Sequence, residues 1–242
     1  MANTVLLTAD KHKHLKVQLK YSSALGDNVM WSPTYPAEFR SVQADYPILF
    51  HKDAKTGGFI PAALFGLEQG ENLFLDESGE WDAAYIPLMM QRIPFSIGLY
   101  GEDKKRLVNV DLDHPKVSET DGVALFEEHG APTEYLERVS GMLEAIHVWI
   151  EHNNAFIAAI TDLNLLEPVT VDITLDNGTQ GQLMGFYAVN EDKLKQLDAA
   201  AFHLLYEQDF LEPIYMAIAS VTNIRKLINR KSKQASAASL AS

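Results

Sequence analysis

The sequence predicts an α+β fold: an antiparallel β-meander, barrel-like, over the first half, then a long helix, a β-hairpin and two C-terminal helices. Three observations predict it. Between Asp45 and Phe95, apolar runs are punctuated by polar breaks that contain glycine. From Pro132 onward, apolar residues recur at three- and four-residue spacing. Two β-like runs then flank Asp176-Asn177-Gly178, a turn of the kind that closes hairpins.

Taken in order, Leu15 to Tyr21 alternates apolar and polar residues, the period of a strand with one wet face. Pro33 and Pro36 hold the next segment irregular, because each removes a backbone donor and pushes its predecessor out of the α region. Tyr46 to Lys52 and Phe59 to Leu67 flank a DAKTGG break and read as a hairpin. Asn72 to Leu75 faces Glu80 and Trp81 across DESG. Phe95 to Tyr100 and Leu107 to Leu112 make a further hairpin around GEDKKR.

Thr133 is placed to cap a helix. Leu136, Val139, Leu143, Ile146 and Ile150 form its apolar stripe, extended by Phe156, Ile157, Ile160 and Leu163. The pattern fits one helix of about thirty residues or two helices broken at His152-Asn153-Asn154. Val169 to Leu175 and Gln182 to Val189 form the hairpin, with Asn-Gly supplying positive φ values. Helices are predicted over 191–207 and 213–230. The Ser/Ala-rich stretch 232–242 has little to pack and is expected to be disordered. These elements suggest a β-rich part over 1–120 and a helical part over 121–231 that contains the 169–189 hairpin. One shared core over 10–231 fits the same pattern.

Charge and composition remove whole classes of function. Thirty-three acidic residues against twenty basic give a formal net charge of −13. That argues against phosphate-backbone binding, which draws its affinity from Lys and Arg, so no nucleic-acid partner is expected. The absence of cysteine removes disulfides, thiolate nucleophiles and thiolate-bound metal. No run approaches the ~18 apolar residues of a membrane span. The N-terminus lacks the apolar core of a secretion signal. A soluble, cytoplasmic protein is the expectation.

The segments YPILFHKD, GGFIPAALFGLEQGENLFLDESGEWDAAYIP, RIPF, LLEPV, GFYAVNEDKLKQL and SVTNIRKLI together resemble the SapC family. The similarity covers about residues 10 to 230. The resemblance implies a bacterial protein associated with surface-layer loci, whose relatives also occur near genes resembling flavin-dependent halogenases and outer-membrane nutrient receptors. It supplies no established catalytic residues and leaves the cofactor unknown. The function it implies is that of a non-enzymatic accessory or interaction protein, with room for a protein partner, serving a surface-layer, uptake or modification system.

The residues themselves offer two other readings. Asp111, Asp113 and His114 form a DLDH run; on a strand the two carboxylates project from one face, and with His51 or His129 nearby they make a metal set suited to a non-haem iron oxygenase. The same run also fits the end of an edge strand stopped by Pro115. Trp31, Tyr35 and Trp81 are the aromatic residues placed to line a groove for a peptide or carbohydrate, Trp31 and Tyr35 being the pair expected to be exposed. His12 and His14 alternate with lysines in what reads as a solvated N-terminal segment. No nucleophile elbow is present: Ser140-Gly141 falls within a helix, and Gly66 and Gly70 do not make a dinucleotide fingerprint.

Overall fold

The runs flanking DAKTGG and GEDKKR become antiparallel hairpins, as their spacing predicts, while the pairing across DESG is reduced to a single bridge between Leu75 and Trp81. The computed structural model describes residues 3–76 and 78–241, without the side chains of 237–241. Glu77 of the DESG turn and Ser242 of the expected tail lie outside the described residues. The first half contains β1 (Thr4–Leu6), α1 (Ala9–His12), β2 (Lys16–Val17), β3 (Trp31–Pro33), α2 (Phe39–Val42), β4 (Ile48–Lys52) and β5 (Phe59–Leu64). Then come α3 (Leu88–Gln91), β6 (Phe95–Tyr100), β7 (Lys105–Asp111), β8 (Val117–Ser118) and β9 (Val123–Ala124). The second half contains α4 (Glu134–Asp162), β10 (Leu166–Thr174), β11 (Gln180–Val189), α5 (Glu191–Lys195), α6 (Ala199–Glu207), α7 (Leu211–Ser220) and α8 (Asn223–Ala241). The fold is α+β. Its strands form open sheets rather than a closed barrel.

Two compact units divide the chain. Unit 1 comprises Met1–Asp27, Leu75–Asp82 and Leu88–Val148; unit 2 comprises Asn28–Phe74, Ala83–Pro87 and Trp149–Ser242.

Unit 1 holds two antiparallel sheets, ordered β1-β7-β6 and β8-β2-β9. The expected strand from Leu15 to Tyr21 shrinks to Lys16–Val17, because its neighbours β8 and β9 are themselves two residues long. Its alternation survives in part, with Leu15 and Val17 buried but Leu19 48% exposed. Gly122 carries φ +108°, and a Cβ there would collide with the Val17 carbonyl, so the turn between β8 and β9 requires glycine. Leu15, Val17, Phe95, Val110, Leu125, Leu136, Val139 and Leu143 close the core.

Helix α4 is continuous through His152-Asn153-Asn154. Thr133 caps it, its Oγ1 accepting from Leu136 N at 3.4 Å. Leu136, Val139, Leu143 and Ile146 are buried as the stripe predicts, but Ile150 is 42% exposed and burial resumes at Phe156 and Ile160. Ten residues from Ile146 to Phe156 are not a whole number of 3.6-residue turns. The buried stripe therefore shifts round the helix, and Ile150 is left outside it.

Unit 2 is built on one five-stranded antiparallel sheet, β10-β11-β4-β5-β3. The two hairpins predicted independently, around DAKTGG and around Asn177-Gly178, join through Phe186 opposite His51 and Tyr187 opposite Phe50. At the turn of the second hairpin Gly178 takes positive φ, at 84°, and Asn177 does not. Gly178 N bonds Leu175 O at 2.9 Å, so a tight turn followed by a left-handed glycine replaces the predicted pair of positive φ values. Phe156 packs against Phe39 and Phe210 at 6.1 and 5.4 Å between centroids, both edge-to-face. Full burial of each such ring contributes about 1.5–3 kcal/mol.

Four helices stand where two were predicted after the hairpin. The 191–207 segment divides because Asp198 caps a new helix, accepting from Ala201 N at 2.8 Å. The 213–230 segment divides because side chains at the break serve other backbone groups. Ser220 Oγ accepts from Ile48 N at 2.8 Å, and Asn223 Nδ2 donates to Gln43 O at 2.7 Å. The final helix runs on to Ala241, through the stretch expected to be disordered. Ser232 is buried there with its Oγ accepting from Asp176 N at 3.2 Å, while Lys231 lies 2.8 Å from Glu68 and 3.0 Å from Glu71. These polar contacts, invisible in a Ser/Ala-rich composition, anchor the start of that stretch. Among the described residues no helix is long and apolar enough to cross a membrane.

Candidate functional site

The aromatic residues singled out by sequence each sit in their own surroundings. Trp31, on β3, is half-buried, with its ring 4.9 Å from His51 and 6.3 Å from Phe186. Tyr35 is only 8% exposed and packs on Trp149 at 6.3 Å, so it is not the open partner expected of Trp31. Trp81 is 7% exposed, edge-on to Tyr21 at 5.3 Å, and belongs to unit 1 whereas Trp31 and Tyr35 belong to unit 2. Near Tyr35 a buried carboxylate is fully engaged: Glu38 accepts from Thr34 Oγ1 at 2.7 Å and from Tyr85 hydroxyl at 2.9 Å.

At the DLDH run, Asp111 ends β7 and Asp113 lies beyond it, so the two carboxylates do not share a strand face. Asp111 Oδ1 accepts from Asn3 N at 2.9 Å and from Asp113 N at 3.2 Å, and His114 Nδ1 accepts from Lys116 N at 3.2 Å. These bonds close the turn after the strand. Among the described residues no three His, Cys, Asp or Glu side chains are grouped as a metal ion would need. His12, read as part of a solvated segment, is buried in α1 and accepts from Thr8 N at 3.0 Å, which leaves His14 as the exposed member beside Glu119.

The broken C-terminal helices create a surface that the sequence reading did not contain. Asn190 and Asp198 cap α5 and α6, each side chain accepting a backbone N–H at 2.8 Å. Leu194 and Leu205 are buried and hold these helices down, while Phe202 stays 40% exposed and Tyr215, on α7, 47% exposed. Between them lies a cavity of about 200 Å³ lined by Leu194, Leu197, Phe202, Tyr215 and Ile218, with Glu191 and Lys195 as its charged members. Tyr206, one turn after Phe202, is 63% exposed and extends the aromatic face.

The charges around this groove are unequal. Helices α5 and α6 with their caps carry Glu191, Asp192, Asp198 and Glu207 against Lys193 and Lys195. Both lysines are locally engaged: Lys195 lies 3.6 Å from Asp192 and 3.9 Å from Glu191, and Lys193 Nζ donates to Asn164 O at 3.0 Å. The groove is therefore an apolar slot in an acidic surround.

The SapC family model matches residues 7–227 of the 242. The chain belongs to the SapC family. Neither the curated proteins nor the solved structures include a match to it. In this SapC chain apolar periodicity runs through 191–207 as if through one helix, which hides the groove that the division into α5 and α6 creates. Asp198 followed by three alanines was the available sign of a second N-terminus. Phe202 and Tyr206 at four-residue spacing were the sign of an aromatic face.

Proposed function

We propose that this SapC-family chain is a non-enzymatic accessory protein that acts by docking a partner protein. The groove between α5, α6 and α7 takes one large apolar side chain from a partner segment that carries Lys or Arg beside it. The observation that carries this reading is the pairing of two partly exposed aromatic residues, Phe202 and Tyr215, around an apolar cavity of about 200 Å³. Exposed apolar area framed by polar residues is characteristic of interaction sites. The acidic surround and the net charge of −13 favour a basic segment by complementarity. The family's association with surface-layer loci supports a partner in a surface-layer, uptake or modification system.

Selection of displayed peptides on the purified chain tests the reading. Peptides enriched on the wild type should combine Leu, Phe or Trp with flanking Lys or Arg. Their affinity should fall about tenfold or more, ~1.4 kcal/mol, in Tyr215→Ala and be lost in Phe202→Asp, with far-UV circular dichroism unchanged. Enriched peptides that bind Phe202→Asp as well as wild type, or an absence of enrichment, would overturn it.

A further inference from the structure

Unit 1 contains a buried ion pair that borders a cavity. Lys116 Nζ lies 2.8 Å from Asp27 Oδ1, with side chains 3% and 1% exposed. The ammonium also sits 4.0 Å above the centre of the Tyr21 ring, and Trp81 backs that ring edge-on. Backbone contacts fix both partners. Lys116 O accepts from Gln18 N at 2.9 Å, and Asp27 Oδ2 accepts from Ser22 N at 2.9 Å. Burial lowers the Lys116 pKa, and Asp27 opposes that fall by favouring the ammonium.

Lys116 and Tyr21 are not sealed away. They form part of the wall of a cavity of about 140 Å³, which Tyr135 and Arg138 enter from α4 and Gln18 and Gln91 border from other elements. Every one of these six side chains offers a hydrogen-bond donor, and none of the residues lining the cavity is an acid. Arg138 has no acidic partner among the described residues; its guanidinium lies 5.5 Å from the Tyr135 ring centre. Ile93, Val139 and Met142 supply an aliphatic portion of the wall. A cavity of about 150 Å³ accommodates a benzene ring.

We propose that this cavity binds a small carboxylate with a compact apolar body, an aromatic or branched-chain acid. The carboxylate lies against Arg138 and the two phenols, and the apolar body against Val139 and Met142. Lys116, already compensated by Asp27, contributes its field and its fixed position rather than the decisive charge. Arg138 supplies the uncompensated one, in the planar geometry that suits a carboxylate. This goes beyond partner docking and is independent of the α5–α7 groove.

The test is titration calorimetry and saturation-transfer NMR on the full chain, with benzoate and isovalerate as probes and benzamide, benzylamine and inorganic phosphate as controls. At least one of the two acids should bind saturably, with the uncharged and cationic controls about tenfold weaker or more. Arg138→Gln, at an exposed position, should weaken binding about tenfold, and Leu19→Trp, which fills the cavity from another exposed position, should abolish it. The proposal is overturned if neither acid binds saturably, if benzylamine or phosphate binds as tightly, or if both variants bind as wild type does.

Discussion

Asp27 and Lys116 show how much can rest on two atoms. Removing one partner leaves a charge buried without compensation, so Asp27→Ala should lower unfolding free energy by about 3–5 kcal/mol in urea titrations. The paired replacement Asp27→Asn with Lys116→Met removes both charges, keeps an acceptor for Ser22 N and should recover most of that loss. A second prediction concerns His12 and His114. Each accepts a backbone N–H on Nδ1, a bond only the neutral ring can make, and burial is the first cause holding each pKa below 6.5. The folded state thus binds fewer protons than the unfolded one. Their contribution is present above pH 6.5 and lost as pH falls through the lower folded values. Melting temperature should decline between pH 7 and pH 5, and less so in His12→Asn, whose amide oxygen can still accept from Thr8 N. Sequence exposed little of this. Asp27 and Lys116 meet only through the fold, and the DLDH run stands out in sequence because its carboxylates lie two residues apart, where the structure uses Asp111 to close a turn.

At the scale of elements, periodicity was readable wherever a whole face is buried. The two hairpins of unit 2 and the β6–β7 pair follow from spacing and turn residues alone, whereas for α4 spacing fits equally one helix or a break at His152-Asn153-Asn154, and the helix runs through. What spacing does not encode is a local competitor for the backbone. Asp198, Ser220 and Asn223 each turn a side chain to a particular main-chain group, and each divides or redirects a helix that apolar periodicity would have carried through. The shift of the α4 stripe gives a direct measurement. Ile160→Ala should cost about 2–5 kcal/mol, while Ile150→Lys, in the same predicted stripe but 42% exposed, should stay within about 0.5 kcal/mol of wild type in chemical denaturation. Equal losses would mean that the stripe runs straight.

At the scale of the whole molecule, the division into two units was not readable, because neither is a continuous piece of sequence. The chain passes between them after Asp27, Phe74, Asp82, Pro87 and Val148. Composition changes near residue 130 mark where helix replaces strand, which is a different boundary. If each unit is a cooperative core, Leu143→Ala should speed amide exchange in β1, β6 and β7 while leaving β4 and β5 protected, and Phe210→Ala should do the reverse. Exchange rising together in all five strands would indicate one cooperative core. The pairing of β4 with β11 has a further consequence. As the nascent chain leaves the ribosome, the hairpin of β4 and β5 must wait through more than a hundred residues of translation before its sheet partner emerges. During that interval its ladder edge is open, so a nascent-chain chaperone holding the segment around His51 is most needed midway through synthesis rather than at its end.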